Sequence, residues 1–285
     1  MPELPEVECV VRGLRERITG ETIERITMHQ PGVVRGSPLD LAEQLPGRTF
    51  RNVRRRGKLI IIGLDGGLSL LCHLRMTGQL LCLPPEAPLE KHTHLIFHLT
   101  SGRHLRYRDQ RQFGWIQLAE TDQLAGHPQI SRLGPEPLEI GRDEFVERLR
   151  AYRRQIKPLL LDQTALAGLG NIYADESLFR VRIHPLRRAG EISAVKLKRL
   201  HGAIGDVLRE AIDCSGSTVE QFRGADGESG SFQEHLQVYD RQGLPCPRCR
   251  RPIIKIRVGG RGTHICPRCQ RAPRRSPSTT KIAPR

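Results

Sequence analysis

Apolar residues recur at three- and four-residue steps at Leu4, Val7, Val11, Leu14 and Ile18, which predicts a helix over 4–18 with one core-facing stripe. Pro2 and Pro5 fit only its entry, and Glu3, Glu6 and Glu8 complement the positive end of its dipole. From Thr22 to about Leu118 the pattern becomes strand-like, with apolar runs at 59–64, 68–74 and 94–99 bounded by Gly and Asp turns. A β-sandwich or a flattened barrel with one flanking helix accounts for this half, the sandwich being the expectation. Residues 127–142 contain three prolines and two glycines and read as a linker. Helical periodicity returns over 143–152, 158–166, 172–179 and 193–213, broken by Gly168 and Gly170.

The cysteines add a third unit. Cys246, Cys249, Cys266 and Cys269 stand as two CPRC pairs separated by sixteen residues. Each C-x2-C turn aims two thiolates at one tetrahedral ion, so the pattern predicts one structural Zn2+ per chain; four thiolates leave no position for water. The stretch between the pairs reads as two short strands around Gly259–Gly262, a zinc-ribbon hairpin. Two disulfides would need a secretory route, for which the acidic start MPELPEVE provides no signal. Cys9, Cys72, Cys82 and Cys214 read as small buried hydrophobes. The fold class is therefore α+β. Its expected parts are a sandwich domain over 1–133, a linker over 134–142, a helical domain over 143–240, a four-cysteine zinc finger over 241–271 and a disordered tail over 272–285.

Charge narrows the partner. The chain of 285 residues has 46 Lys+Arg against 31 Asp+Glu, a net +15, which points to a polyanion. No apolar run is long enough for a membrane helix. Only seven of the basic residues are lysines, and arginine cannot supply a neutral amine. The other candidate amine is Pro2, freed if Met1 is removed. An α-amino group has a pKa of about 7.7–8.0 against about 10.4 for lysine, so more of it is neutral near pH 7. Attack on a sugar carbon by this secondary amine would give an iminium, an electron sink, and Glu3 beside it is a natural proton donor.

Several segments carry a resemblance: Met1-Pro2-Glu3-Leu4-Pro5-Glu6-Val7-Glu8, Arg56-Gly57-Lys58, His73-Leu74-Arg75-Met76-Thr77-Gly78, Lys91-His92-Thr93-His94 and Arg108-Asp109-Gln110-Arg111-Gln112-Phe113-Gly114. It continues through Leu133-Gly134-Pro135-Glu136-Pro137, Ile156-Lys157-Pro158, Gly168-Leu169-Gly170-Asn171-Ile172-Tyr173-Ala174-Asp175-Glu176, His235-Leu236-Gln237-Val238-Tyr239 and Arg261-Gly262-Thr263. In this order, over residues 2–269, the chain resembles the Fpg/Nei family of DNA glycosylases and AP lyases, and within it the formamidopyrimidine branch.

The resemblance implies a helix–two-turn–helix domain and base excision repair of damaged double-stranded DNA, by a monomer in the cytoplasm that is associated with the nucleoid through DNA. It implies flipping of an oxidised purine such as 8-oxoguanine or formamidopyrimidine out of the duplex. By similarity the catalytic residues are Pro2 as nucleophile, Glu3 as proton donor, Lys58 as an aid to elimination and Arg261, which clamps the damaged nucleotide's phosphate and has a proposed part in the second elimination. Met76, Arg111 and Phe113 match the triad that fills the vacated stack. His92, Arg153, Lys157 and Asn171 match DNA contacts. Gln110 and Gln112 depart from the Pro and Arg of many relatives. Two other readings remain: an endonuclease VIII-like glycosylase preferring oxidised pyrimidines, and a non-catalytic zinc-ribbon protein that binds damage. Leu4, the loop over 224–231 and intact Pro2, Glu3 and Lys58 favour the purine enzyme.

Overall fold

The computed structural model describes residues 2–36, 38–218 and 222–273; most of the tail expected over 272–285 lies outside them. Helix α1 spans Leu4–Ile18, as the apolar stripe requires. Nine strands follow: β1 (Ile23–Met28), β2 (Val34–Arg35), β3 (Phe50–Arg56), β4 (Leu59–Leu64), β5 (Leu68–His73), β6 (Gly78–Leu83), β7 (Thr93–Leu99), β8 (His104–Asp109) and β9 (Trp115–Glu120). Helix α2 (Pro38–Gln44) lies between β2 and β3. The strands form a five-stranded sheet, β2-β9-β5-β4-β3, and a four-stranded sheet, β1-β7-β8-β6. One core joins Ile60, Ile62 and Leu70 of the first sheet, Phe97, Leu105 and Tyr107 of the second, and Val7, Val11 and Leu14 of α1. Every residue of β4 is buried, because Leu59 and Ile61 face a second cluster with Trp115 on the outer side of its sheet. That explains why its sequence runs apolar without alternation.

The helical half contains α3 (Pro128–Ser131), α4 (Arg142–Arg150), α5 (Ile156–Leu160), α6 (Asn171–Arg180) and α7 (Ala194–Asp213). Two expectations change. The linker contains a turn of helix, α3, whose first free amide, on Gln129, donates to His127 Nδ1. The helix expected over 158–166 starts at Ile156 and stops at Leu160, because Asp162 accepts from the amide and hydroxyl of Thr164 and turns the backbone away. Its apolar residues still reach the core through Leu159, Leu160 and Leu166. Leu4 packs into this second core while Val7 onward packs into the first, so α1 bolts the two halves together. The hairpin of β10 (Ile254–Val258) and β11 (Arg261–Ile265) completes the fold. No helix among the described residues is long and apolar enough to cross a membrane.

Candidate active site and nucleic-acid interface

A cleft of about 1000 Å³ opens where the two halves meet, lined among others by Pro2, Glu3, Lys58, Met76, Asn171 and Arg261. Its floor is the start of α1. Glu3 is the N-cap residue, and its amide donates to Glu6 Oε2 at 2.8 Å. The Glu3 carboxylate in turn meets the start of α6: the Ile172 amide donates to its Oε1 at 2.9 Å and the Tyr173 amide lies 3.5 Å from Oε2. Burial pushes this carboxyl up to about 7; Lys58 and the two amides pull it down, and Glu6 raises it further. A carboxyl of that kind holds a proton near neutral pH and can deliver it.

The turn before α6 has to be glycine. A Cβ on Gly170 would run into the Glu3 carboxylate, and one on Gly168, at φ +83°, would meet the Leu4 side chain at 2.8 Å. The Leu4 amide donates to the Gly168 carbonyl at 3.0 Å, closing the contact. Glu6 is buried beneath, accepting from the Ser217 amide and the Tyr173 hydroxyl.

Lys58 immediately precedes β4 and is buried. Its ammonium has no hydrogen-bond or ion-pair partner among the described residues. Burial lowers its pKa, nearby Glu3 and Glu6 oppose that, and Arg261 adds to the lowering. The turn before it is pinned by Glu136, which accepts from the Gly57 amide at 2.6 Å and pairs with Arg55 at 2.6 Å and Arg56 at 2.7 Å. His73 also borders the cleft; burial first, then Arg75, Lys58 and Arg35, hold its imidazole down to about 3, so it is neutral.

Arg261 begins β11 at the hairpin tip and is exposed to the cleft. Lys157 requires a correction. Expected as a DNA contact, it is fully buried. Its ammonium pairs with Asp175 Oδ1 at 2.6 Å and donates to Thr263 Oγ1 at 2.8 Å and the Gly262 carbonyl at 3.2 Å. It braces the residues behind Arg261 rather than facing DNA. Asn171 adds to the brace, its Nδ2 donating to the same Gly262 carbonyl at 3.1 Å. Asp175 Oδ2 accepts from the His264 amide, fixing β11 against α6.

On the sandwich side, Arg111 lies 4.7 Å over the Phe113 ring and its Nη1 is 3.0 Å from Met76 Sδ. These three form one projecting cluster, and Phe113 is 55% exposed. Buried Asp109 holds both loops, accepting from the Thr77 hydroxyl, the Arg111 amide at 3.2 Å and the Gly114 amide at 2.7 Å. Gln112 adopts φ +54° and accepts from Gln30 Nε2, so the departure at this position is accommodated by a side-chain contact across the sheet edge. His92 sits half-buried at φ +68° before β7, and Arg153 is exposed before α5; neither borders the cleft. Glu6, Asp109, Glu136 and Asp175 all lie inside or beside the motifs quoted for the resemblance. Glu6 is legible locally only as a helix-start carboxylate, and nothing local singles out the other three; the roles of all four depend on loop shape or on partners as far as 211 residues away.

The four clustered cysteines fit a metal. Their sulfurs lie within 4.8 Å of one another, with Cys246–Cys269 at 3.9 Å and Cys249–Cys266 at 3.4 Å. Four sulfurs about 2.3 Å from a tetrahedral Zn2+ would be about 3.8 Å apart. The zinc closes the base of the hairpin whose tip presents Arg261.

Three family models tile the chain. The formamidopyrimidine-DNA glycosylase N-terminal domain matches residues 1–116, the H2TH domain of the same enzymes matches 133–223, and a zinc finger found in FPG and IleRS matches 243–272. The architecture is thus that of the H2TH, zinc-finger class of DNA glycosylases. Formamidopyrimidine-DNA glycosylase of Desulforamulus reducens is 44% identical over 276 residues, covering 95% of this chain and 100% of the relative. That of Pelotomaculum thermopropionicum is 46% identical over 274 residues, covering 95% and 99%. Wild-type Lactococcus lactis Fpg (MutM) in complex with DNA containing N7-benzyl-Fapy-dG superposes with a TM-score of 0.89 at 40% identity, covering 95% of this chain and all of that one. MutM in complex with carbocyclic 8-oxo-G DNA gives 0.89 at 40% identity, with the same coverage. The chain belongs to the formamidopyrimidine-DNA glycosylase family.

Proposed function

We infer that this chain excises oxidised purines, of the 8-oxoguanine and formamidopyrimidine kind, from duplex DNA and cleaves the strand at the abasic site left behind. The observation that carries the reading is Glu3: a buried carboxyl raised to about 7, on the floor of a cleft that Pro2 and the buried Lys58 also line. With Met1 removed, the Pro2 nitrogen attacks C1′ of the flipped nucleotide. Glu3 protonates the departing side: the C1′ bond to the base breaks as the nitrogen–carbon bond forms, the nitrogen gives up its proton, and the C1′ bond to the ring oxygen then opens with protonation of that oxygen. The resulting iminium acidifies the neighbouring C–H. Lys58, whose proton affinity burial lowers, is the available amine for moving protons as the 3′ and then the 5′ phosphate leave. Arg261 is placed to clamp a phosphate bidentately. Met76, Arg111 and Phe113 fill the stack that the flipped base vacates. His92, Arg153 and Asn171 contact the DNA backbone, and Lys157 acts by bracing Arg261.

The working form is a cytoplasmic monomer carrying one Zn2+ and associated with the nucleoid through DNA. Borohydride reduction in the presence of an abasic-site duplex is expected to trap the protein through residue 2. Full trapping at an internal lysine in Pro2→Gly would overturn the mechanism. Clear preference for thymine glycol over 8-oxoguanine paired with cytosine would overturn the substrate class.

A further inference from the structure

A second concavity, of about 550 Å³, lies between the base of the hairpin and the far end of the helical half. Its lining includes Arg182, Arg187, Lys196, Arg248, Arg268 and Arg271, together with Cys249 and Cys269, and no acidic residue. None of the six cations forms an ion pair among the described residues. Neighbouring cations are paired: Arg180 with Glu210, Arg154 with Asp162 and Arg188 with Glu191. Arg248 and Arg268 are the equivalent arginines of the two CPRC turns, so the repeated motif itself places a cation on each side of the pocket.

Local structure explains only part of this charge. Arg248 donates to the Phe179 and Arg180 carbonyls at 3.0 and 3.1 Å, capping the end of α6. A Zn2+ with four thiolates carries a net charge of −2, which offsets two of the six cations and leaves four. Residues 274–285 add three arginines and a lysine and no Asp or Glu.

The pocket also stands apart from the cleft. Helix α6 begins at Asn171 in the cleft, and Arg182 follows its last turn; ten residues of helix span about 15 Å. Strand β11 begins at Arg261 in the cleft and leads to Arg268 in the pocket; its five residues span about 17 Å. Two elements thus lead from one site to the other.

We propose that this pocket binds adjacent phosphate groups, supplied by the backbone of a DNA segment other than the one in the cleft or by a free oligophosphate. Arginine forks suit phosphate oxygens, and a concave surface of one sign concentrates the field. The assignment does not rest on the lesion chemistry. A second DNA contact would let the protein pass from one segment to another without release.

To isolate the pocket, the cleft is first filled with a labelled duplex carrying a stable abasic-site analogue. Tripolyphosphate is then titrated calorimetrically, and release of the labelled duplex is timed against rising undamaged duplex. Expected is saturable tripolyphosphate binding, weakened at least about tenfold in a triple variant combining Arg187→Glu, Lys196→Glu and Arg271→Glu, with zinc content and excision rate unchanged. Release that accelerates with competitor in the parent protein and not in the variant identifies the DNA backbone as the source. Tripolyphosphate binding without that acceleration identifies a free oligophosphate. Should the triple variant fold poorly, Arg187→Ala and Lys196→Ala singly are each expected to weaken binding about threefold or more. Absence of both effects in the parent protein, or their persistence in the variants, overturns the proposal.

Discussion

Glu3 shows how position changes the proton affinity of an ordinary helix cap. The residue type at this place was readable from the sequence; the proton affinity was not, because it is set by burial, by Lys58 and Glu6, and by the amides of Ile172 and Tyr173. The sign follows directly. The folded carboxyl keeps its proton up to about pH 7, whereas the unfolded chain releases it near the usual value of 4.5. Between those limits the folded state holds the extra proton, so stability falls as pH rises through the window. A protonated Pro2 amine would pull the carboxyl down, and the two would then titrate as a pair. Excision of an intact damaged base is expected to fall as pH rises above about 7. Glu3→Gln is expected to lower that excision by about 10²–10⁴-fold while cleavage of a preformed abasic site changes far less. Single-turnover kinetics on the two substrates from acid to mildly alkaline pH check both statements. Lys157 teaches the converse: a lysine in a recognised motif became a buried brace once Asp175 and Thr263 surrounded it.

At the scale of elements, the turn between α5 and α6, the β5–β6 loop and the β8–β9 loop do the positioning. Glycine at 168 and 170 was legible as a helix break, but its reason is the approach of α1, from the other end of the chain. Gly170→Ala would drive a methyl into the Glu3 carboxylate. The expected result is a loss of roughly 1–3 kcal/mol in urea denaturation together with excision reduced more than abasic-site cleavage. Asp109 faces amide and hydroxyl donors from both wedge loops, so Asp109→Asn turns an NH2 group toward another donor. Fluorescence of 2-aminopurine opposite the lesion should then report looser filling of the stack. Affinity for the lesion duplex should fall by about 1–3 kcal/mol, with cleavage of a single-stranded abasic site unchanged. Equal fluorescence in the two proteins would show that the loops hold their shape without the carboxylate.

At the scale of the whole molecule, the cleft exists because three units are held in register. Helix α1 belongs to both cores, Glu136 ties the linker to the Arg55–Gly57 turn, and α6 carries the hairpin through Asp175 and Lys157. The four-cysteine site lies at one end of that hairpin and Arg261 at the other. Removing the metal with a chelator is therefore expected to weaken binding of an abasic-site duplex and flatten its salt dependence, since a phosphate contact is lost. The sandwich, held by its own core, should keep its folded signal in circular dichroism. Restoring zinc should return the binding.

The sequence by itself determined what local chemistry can encode. The apolar period drew α1 and the strands, the cysteine spacing drew the zinc hairpin, and the ordered motifs drew the family and most of the cleft residues. These are short-range facts: a helix stripe, a strand run and a C-x2-C turn each form within a few residues. Tertiary structure alone decided which charges meet. It raised the proton affinity of Glu3, buried Lys58 beside it, enclosed Lys157 and gathered six cations beside the zinc turns with no ion pair among the described residues. Proton affinity and ion pairing depend on distance and burial in three dimensions, and residues far apart along the chain set both.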